Sequence, residues 1–147
     1  MLVFANGSRR SKVSRPDILR FMSNASQPGH VGWVDLTVDN APEIRDFYRA
    51  VMGWEYREVP MDEGYADYSM TTMEGQDVTG ICHARGPNEG LPAQWLVYFT
   101  VADLDLALSE VRVRGGALLR APFEMEAGRY AVIRDPAGAV CALFQAR

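Results

Sequence analysis

The sequence lacks most of the features that would place it outside the class of ordinary cytoplasmic domains. Its 147 residues include only two cysteines, Cys82 and Cys141, which are too few for a disulfide framework. No apolar run reaches the 18 residues of a membrane-spanning helix, and the N-terminus has no apolar core of the kind found in signal peptides. We therefore expect a cytoplasmic protein that does not bind membranes.

Several motifs that carry chemistry are also missing. There is no Gly-rich phosphate loop, nucleophile elbow or Cys-x-x-Cys pair, and histidine occurs only at His30 and His83. The net charge is −4, yet residues 1–21 carry five basic side chains and one acidic one, so the rest of the chain is strongly acidic. Nucleic acid binding needs a basic surface. The acidic body argues against it and suits a neutral or cationic ligand.

What the sequence does contain is an internal repeat with a constant step of 63 positions. Repeats of this kind fix an architecture before any single element does. The matching pairs are Thr37 and Thr100, Val38 and Val101, Asn40 and Asp103, Gly53 and Gly116, and Gly75 and Gly138. One domain over residues 30–147 therefore consists of two units, 30–84 and 95–147, joined by a linker over 85–94. Residues 1–29 form an arm outside the repeat, with a short helix at about Pro16–Met22.

The first unit is predicted to fold as βαβββ. Apolar periodicity indicates a strand at Val31–Val38, Asn40 caps a helix, and Gly53 ends it. The helix has apolar residues at i, i+3, i+4 and i+7, which predicts one buried stripe: Ile44, Phe47, Tyr48 and Val51. Three further strands are predicted at Trp54–Val59, Tyr65–Thr72 and Asp77–Ala84.

The second unit repeats this order. Its helix follows the strand Trp95–Val101, is capped by Asp103 and has the stripe Leu104, Ala107, Leu108 and Val111. The later strands are predicted at Ala117–Ala121, Arg129–Arg134 and Ala139–Gln145. The predicted fold class is α+β: two tandem βαβββ units with curled mixed sheets that form a cleft or barrel-like cup, with helices on the outside.

Strand alternation gives the first strand of each unit two faces. The helix covers one face, and the other needs a partner or a ligand. On that other face lie Trp33 and Asp35 in the first unit, and Leu96 and Tyr98 in the second. Two such faces would enclose a cleft with apolar lining and one acid, which is typical of small-molecule sites.

Paired βαβββ units in which Phe47 and Tyr48 precede Gly53 and Trp54 resemble the vicinal oxygen chelate superfamily. That group includes glyoxalase I, extradiol dioxygenases and bleomycin-resistance proteins. The segments most similar to its glyoxalase-like bacterial branch are Gly32–Val38, Pro92–Tyr98 and Ile133–Ala139. The resemblance covers about residues 30–147 and implies the fold, a homodimer and a site formed by both units.

The resemblance also implies where a metal would bind. In metal-dependent members the ligands come from the first and last strand of each unit, and the matching positions here hold Trp33, Thr79, Leu96 and Ala142. Divalent ions in such sites need carboxylate or imidazole ligands, which these side chains do not supply. We therefore expect no metal and no other cofactor.

Asp35 is the weak catalytic candidate. A carboxylate in mid-strand is costly unless it is paired or solvated, so it could accept a ligand hydrogen bond or act as a base. The alternative is a salt bridge to an arginine such as Arg57, Arg129 or Arg134. His83 could serve in metal binding or acid–base chemistry, but an exposed histidine at a strand end is the favoured interpretation.

These observations predict a glyoxalase-like protein that binds a small organic molecule in the cleft without a metal. The predicted ligand-binding residues are Trp33, Asp35, Thr79, Leu96, Tyr98 and Ala142. One alternative is an enzyme, a lyase or oxidoreductase, whose site uses Asp35 and Tyr98 or recruits a metal through His83. Another is a structural dimerisation module with a filled cleft. The fold alone does not decide, because function belongs to sites.

Overall fold

The structure, a computed structural model, describes residues 27–61 and 64–147. This part of the chain divides into two compact units, Val34–Trp95 and Leu96–Arg147, the second of which includes residues 27–33. The helix predicted at about Pro16–Met22 lies outside the described residues. None of the helices within the described ranges is long and apolar enough to cross a membrane.

The first unit has a four-stranded mixed sheet. Its elements are β1 (Val31–Val38), α1 (Ala41–Met52), β2 (Glu55–Pro60), β3 (Ala66–Thr71) and β4 (Asp77–His83). The strand order is β2-β3-β4-β1. The first three strands in that order are antiparallel neighbours, and β4 runs parallel to β1.

The second unit repeats this arrangement. Its elements are β5 (Trp95–Thr100), α2 (Leu104–Val113), β6 (Ala117–Met125), β7 (Gly128–Arg134) and β8 (Val140–Ala146). The strand order is β5-β8-β7-β6, with β5 and β8 parallel. The α+β class and the two βαβββ units are therefore confirmed. The main difference in bounds is β6, which continues to Met125 instead of ending at Ala121.

The helix of the second unit packs through its predicted stripe. Leu104 and Leu108 are buried, and Ala107 and Val111 pack beside them against the sheet. The predicted cap is also present, because the carboxylate of Asp103 accepts a hydrogen bond from the backbone N–H of Leu106 at 3.0 Å.

The helix of the first unit does not bury its predicted stripe. Ile44 and Tyr48 pack against the sheet, but Phe47 and Val51 are 54% and 58% exposed. The prediction of one buried stripe through all four residues is therefore wrong. Asn40 occupies the N-cap position as predicted, but its side chain donates an N–H to the carboxylate of Glu43 and accepts no hydrogen bond from the backbone of the helix.

Arg45 explains which face of α1 meets the sheet. Its guanidinium lies 4.4 and 4.6 Å from the ring centres of Tyr56 and Tyr68. The face that packs against the sheet therefore runs through positions 41, 44, 45 and 48. These positions are 63 residues before the α2 stripe, so the repeat indicates the correct face where apolar periodicity alone does not.

One β-bulge breaks the constant step of the repeat. β3 pairs with β4 at Met70 and Thr79 and next at Thr71 and Asp77, which leaves Val78 as an extra residue. The pairing of β7 with β8 runs without such a break. A bulge inserts one residue into one strand of a pair, so the step shortens by one residue beyond this point.

The bulge changes which residues correspond in the last strands. Asp35 pairs with Gly80, whereas its repeat counterpart Tyr98 pairs with Ala142. Gly80 is therefore the counterpart of Ala142. The equivalence of Thr79 with Ala142, obtained from a step of 63, is wrong by one residue.

Candidate functional site

Buried polar side chains are concentrated in the first unit. Nine polar or charged residues among those described are buried, and eight of them belong to Val34–Trp95. The eight are Asp35, Thr37, Asp67, Ser69, Thr71, Thr79, His83 and Asn88, and the ninth is Thr100. Burying a polar group costs free energy unless it is hydrogen bonded. The first unit is therefore the better candidate for a functional site.

Five of these residues share one face of the first unit's sheet, which we call the polar face: Asp35, Thr37, Asp67, Ser69 and Thr71. They alternate along β1 and β3, and alternate residues of a strand point to the same side. The opposite side of the sheet carries Tyr68, Met70 and Ile81, which pack with Ala41 of α1. The polar face is thus the side that α1 does not cover.

Gly80 lies in the middle of the polar face. It pairs with Asp35 of β1 on one side and with Ser69 of β3 on the other. Neighbouring strands are about 4.8 Å apart, and Gly80 has no side chain to fill the space between Asp35 and Ser69. A glycine inside a strand often marks the close approach of a ligand.

An ion pair lies at the β2 end of the same row. Arg57, which pairs with Ser69 across the strands, donates hydrogen bonds to both carboxylate oxygens of Asp77. The hydroxyl of Ser69 donates to the same carboxylate. Arg57 is half exposed, whereas the side chain of Asp77 is only 19% exposed, so the network connects the buried row with solvent.

Asp35 itself is almost completely buried, with 1% of its surface exposed. Two of the arginines expected as its alternative partners bind other acids, because Arg57 pairs with Asp77 and Arg129 pairs with Asp105 at 2.7 Å. The carboxylate of Asp35 is on β1, and its residue pairs with Gly80 of the neighbouring strand β4.

Asp67 and His83 form a buried pair at the end of β4. Oδ1 of Asp67 accepts a hydrogen bond from the backbone N–H of His83 at 2.8 Å and lies 3.0 Å from its Nδ1. The rings of Tyr65 and Tyr68 are 5.1 and 6.0 Å from the imidazole. His83 is only 7% exposed, so the interpretation of an exposed strand-end histidine is wrong.

Cys82 lies next to this pair. Burial raises the pKa of its thiol to about 12, and the nearby charge of Asp67 adds to the effect. A thiol with so high a pKa stays protonated at neutral pH and is a poor nucleophile. Cys82 therefore contributes apolar volume to the polar face and no thiolate chemistry.

The residues predicted to bind a ligand are all buried but do not all belong to one unit. Asp35 and Thr79 belong to the first unit. The second includes Trp33, Leu96, Tyr98 and Ala142. Thr79 pairs with Met70, on the side of the sheet that α1 covers, and its hydroxyl donates to the carbonyl of Val34 at 2.6 Å. The structure therefore does not bring Thr79 onto the polar face.

The corrected repeat also changes the positions at which the resemblance places metal ligands. They are now Trp33, Gly80, Leu96 and Ala142, since Gly80 replaces Thr79. None of these side chains has a donor atom suited to Zn²⁺, Ni²⁺, Fe²⁺ or Mn²⁺. Within residues 27–61 and 64–147, no three His, Cys, Asp or Glu side chains group so that they could hold a metal ion. A divalent metal does not fit this site.

In the second unit the counterpart of the polar face is apolar. Tyr98, Tyr130, Val132 and Phe144 are all buried there, and the rings of Tyr98 and Tyr130 are 5.6 Å apart. The two sheets have the same strand order, so the fold does not require polar residues at these positions.

A separate pocket of about 320 Å³ lies on the α1 side of the first unit. It is lined by Leu36, Val38, Ile44, Phe47, Tyr48, Ala93, Gln94 and Trp95. The indole N–H of Trp95 donates to the hydroxyl of Tyr48 at 3.2 Å. Phe47, which is 54% exposed, lines this pocket, and the mostly apolar lining offers few groups that could orient a ligand.

Sequence reasoning missed Asp67 and Ser69 as site residues. Their alternation with Tyr68 and Met70 is visible in the sequence, but it is the usual pattern of a strand with one solvated side. The sequence does not reveal that this side is buried. The pairing of Asp67 with His83, sixteen residues away, depends on the register of β3 and β4.

Comparisons with known proteins agree with this fold. The sequence model of the Glyoxalase/Bleomycin resistance protein/Dioxygenase superfamily matches residues 29–143. A Mycobacterium tuberculosis protein provisionally named a glyoxylase is 36% identical over 120 residues, which are 80% of this chain and 46% of that protein. The anthracycline biosynthesis protein DnrV of Streptomyces peucetius is 31% identical over 131 residues, with 80% of this chain and 47% of that protein covered. This chain spans about half the length of these curated relatives.

Two solved structures have a similar fold. Methylmalonyl-CoA epimerase from Streptomyces coelicolor matches with a TM-score of 0.52 and 16% identity, covering 82% of this chain and 99% of that chain. The epimerase from Mycobacterium tuberculosis matches with a TM-score of 0.51 and 17% identity, covering 80% and 89%. At these identities the likeness concerns the fold alone.

Proposed function

The chain belongs to the Glyoxalase/Bleomycin resistance protein/Dioxygenase superfamily, and from this premise we propose that it binds a small organic molecule on its polar face, in the cytoplasm and without a metal ion. The observation that carries the proposal is the row of buried polar side chains around Gly80. In this proposal Asp35 accepts a hydrogen bond from the ligand, and part of the ligand lies against Gly80.

The cost of burying polar groups supports this function. Asp35, Asp67 and Ser69 are at most 6% exposed, and moving a polar group out of water is unfavourable even where hydrogen bonds offset most of the cost. The second unit builds the same sheet with apolar residues at the counterpart positions, so stability alone does not account for the polarity. A bound ligand would account for the polar residues at this face.

The chemistry of the face indicates the kind of ligand. A buried carboxylate favours a cation or a neutral hydrogen-bond donor, and the acidic body of the protein favours the same ligands. Trp33, two residues before Asp35 on β1, is proposed to stack on a flat ligand, because an aromatic side chain combines a large apolar surface with ring stacking. We therefore propose a planar, uncharged or cationic ligand.

The names of the relatives are consistent with small-molecule chemistry. One relative is provisionally named a glyoxylase, and another is named for anthracycline biosynthesis. Both names concern small organic compounds. Because the chain covers less than half of each relative, its own substrate and reaction are not taken from these names.

The absence of metal ligands at Trp33, Gly80, Leu96 and Ala142 supports binding without a metal. We expect well under one equivalent of Zn, Ni, Fe or Mn in protein purified without added metal, measured by elemental analysis. A stoichiometric metal would contradict this part of the proposal.

We also propose that the protein is a homodimer. The tandem units resemble those of family members that pair, and the matched relatives are about twice as long as this chain. Light scattering should give about twice the 16.4 kDa of one chain. A mass of one chain at working concentration would contradict the dimer but not the binding function.

A thermal-shift screen with planar neutral and cationic compounds tests the function. We expect hits that lose more than about 1 kcal/mol of binding free energy in Trp33→Ala, since stacking and buried area are both lost. Asp35→Asn should weaken cationic hits most. The matched control is Asp39→Asn, the same change at an exposed position just after β1.

A further variant separates the polar face from the apolar pocket on the α1 side. Phe47→Ala removes a lining residue of that pocket and should leave the hits unchanged. Hits that depend on Phe47 but not on Asp35 would move the site to the pocket. Hits that bind Trp33→Ala and Asp35→Asn as tightly as the parent would favour a structural dimerisation module.

A further inference from the structure

One flank of α1 carries apolar side chains that the first unit leaves exposed. Phe47 and Val51 lie one helical turn apart and are 54% and 58% exposed, and residues four positions apart share a helix face. Phe47 also lines the pocket on the α1 side. We call Phe47, Val51 and this pocket together the α1 patch.

We propose that the α1 patch binds the same patch of a second copy of this chain. The inference rests on the proposed homodimer and goes further, because it names the surface through which the two copies meet. It is independent of the ligand proposed for the polar face, which lies on the other side of the sheet.

The second unit shows that the fold does not require apolar residues on this flank. The counterparts of Phe47 and Val51, 63 positions later, are Glu110 and Arg114 of the α2 region. Arg114 donates a hydrogen bond to the carboxylate of Glu110 at 2.8 Å, and both side chains are at least half exposed. Such an ion pair is typical of a helix face in water. An apolar pair at the same positions, next to a pocket, is typical of a surface that contacts another protein.

The pocket of the patch is suited to an apolar side chain. Its volume is about 320 Å³, and the rings of Tyr48 and Trp95 in its wall have centres 5.1 Å apart at an angle of 72°. The indole N–H of Trp95 is already donated to the hydroxyl of Tyr48. An inserted aromatic ring would therefore contact ring faces and edges, which are favourable geometries for aromatic pairs.

The patch is self-complementary because it contains both an exposed ring and a pocket. In a dimer with a two-fold axis, the same surface of both copies forms the interface, and every contact occurs twice. We infer from this symmetry that Phe47 of each copy enters the pocket of the other. A single aromatic side chain thus contributes two buried rings to the interface.

The charges around the patch permit a second copy to approach. The net charge of the chain is −4, so two copies repel each other in general. Helix α1 is locally neutral, since it carries Glu43 and Asp46 against Arg45 and Arg49. Arg45 pairs with Asp46 at 2.8 Å, and Arg49 pairs with Glu55 at 2.9 Å. The charged side chains beside the patch are therefore compensated within each copy.

The lengths of the relatives favour a second copy over an unrelated partner. The matched segment is 46% of one relative and 47% of another, so each of them carries about as much additional chain as this protein has in total. A second copy would supply the same amount of protein here. We therefore commit to a second copy as the occupant of the α1 patch.

The double variant Phe47→Glu/Val51→Arg tests the interface. It gives α1 the ion pair that α2 has at the counterpart positions, so the helix and the fold should persist, which circular dichroism checks. The dissociation constant of the dimer should rise at least about hundredfold, because the apolar contact is lost twice and like charges meet across the two-fold axis. Sedimentation should then give the 16.4 kDa of one chain at concentrations where the parent has twice that mass.

The matched control is Leu106→Glu, the same kind of change at an apolar residue of α2 that is 63% exposed. This variant should dimerise as the parent does. A double variant at Phe47 and Val51 that remains a dimer, or a monomeric Leu106→Glu, would overturn the α1 patch as the interface and leave the homodimer intact. A parent that is a monomer at high concentration would overturn the inference and the homodimer together.

Hydrogen exchange read by mass spectrometry locates the interface. Peptides that cover α1 and residues 91–95 should exchange more slowly in the concentrated parent than in the double variant, since the patch is covered only in the dimer. Peptides that cover α2 should exchange equally in both proteins. Slower exchange over α2 and not over α1 would contradict the proposal.

Discussion

In the first unit, the sheet face opposite the helix buries Asp35, Asp67 and Ser69. In the second unit, the counterpart positions hold Tyr98, Tyr130 and Val132, which are equally buried. Strand order and connections are the same in both, so the difference is one of chemistry and not of fold. One unit uses this face as an ordinary apolar core, and the other has buried polar groups there.

The interface between helix and sheet is also more polar in the first unit than in the second. Leu108 of α2 is buried among aliphatic residues, whereas its counterpart Arg45 lies over the rings of Tyr56 and Tyr68. The comparison teaches that a duplicated unit can keep its backbone while one copy has a buried polar row on one side of its sheet and a single arginine packed on aromatic rings on the other. The predictions below test this difference at matched positions.

The largest effect is expected on the buried face of the second unit. Phe144 is 1% exposed, and Phe144→Ala should lower the free energy of unfolding by about 4 kcal/mol, since a large core side chain is lost. Its counterpart beyond the bulge is Cys82, and Cys82→Ala should cost only about 1 kcal/mol. Denaturant unfolding measures both. Equal losses would show that the two faces are packed alike.

The next effect concerns the helix interfaces. Leu108→Arg should destabilise by about 3 kcal/mol, because it buries a cation without a partner. Arg45→Leu should change the stability by no more than about 1 kcal/mol, the value of its cation–π contacts. Both variants are compared by thermal and denaturant unfolding. A well-tolerated Leu108→Arg would mean that the second unit can accept a polar interface too.

A third prediction uses the two cysteines. The pKa of Cys82 is raised to about 12 by burial, so the folded protein keeps this thiol protonated at a pH where the unfolded chain releases the proton. The unfolded state then binds fewer protons, and stability should fall as pH rises above about 9, by up to about 1.4 kcal/mol per pH unit. Cys82→Ala should make this slope clearly smaller, and Cys141, whose pKa is also raised by burial, should account for part of what is left. If the stability of Cys82→Ala falls with pH as steeply as that of the parent, groups other than Cys82 cause the pH dependence.

Alkylation at pH 8 compares the accessibility of the two thiols directly. Cys141 is only partly buried, although burial also raises the pKa of its thiol. Mass spectrometry should therefore find Cys141 alkylated first and Cys82 alkylated only after unfolding. Faster modification of Cys82 would contradict its burial.

The smallest effect is expected at the helix starts. Asp103 accepts a hydrogen bond from the backbone of α2, so Asp103→Ala should cost about 1 kcal/mol. Asn40 makes no such bond to α1, and Asn40→Ala should cost only a few tenths of a kcal/mol, roughly the scale of an exposed side-chain pair on a helix. Denaturant unfolding of the two variants measures the difference. Equal costs would indicate that Asn40 caps its helix in solution.

The fold was largely predictable because it depends on local patterns. The repeat and the strand alternation located both βαβββ units. The face of α1 was mispredicted because Phe47 and Val51 fit an apolar period of a helix, although the sheet receives Arg45 instead. A cation–π contact places a charged residue at the interface between helix and sheet, so this residue does not contribute to the apolar periodicity of the helix.

The site was less predictable because it depends on register and burial. Asp35 was identified from its place in mid-strand. Thr79 was put in the position of Gly80, since one bulged residue at Val78 shifts the repeat by one. The contact between Asp67 and His83 joins β3 and β4. It depends on the register between these strands, which the sequence pattern does not show.

The central claim is that the polar face of the first unit binds the ligand. The most direct test is isothermal titration of the strongest hit from the screen against the parent, Asp35→Asn and Tyr98→Phe, which alter counterpart positions in the two units. We predict that Asp35→Asn weakens binding at least tenfold, about 1.4 kcal/mol, while Tyr98→Phe, which keeps its ring, leaves the dissociation constant unchanged within about twofold. Equal affinity of Asp35→Asn and the parent, or a larger loss in Tyr98→Phe, would contradict the account.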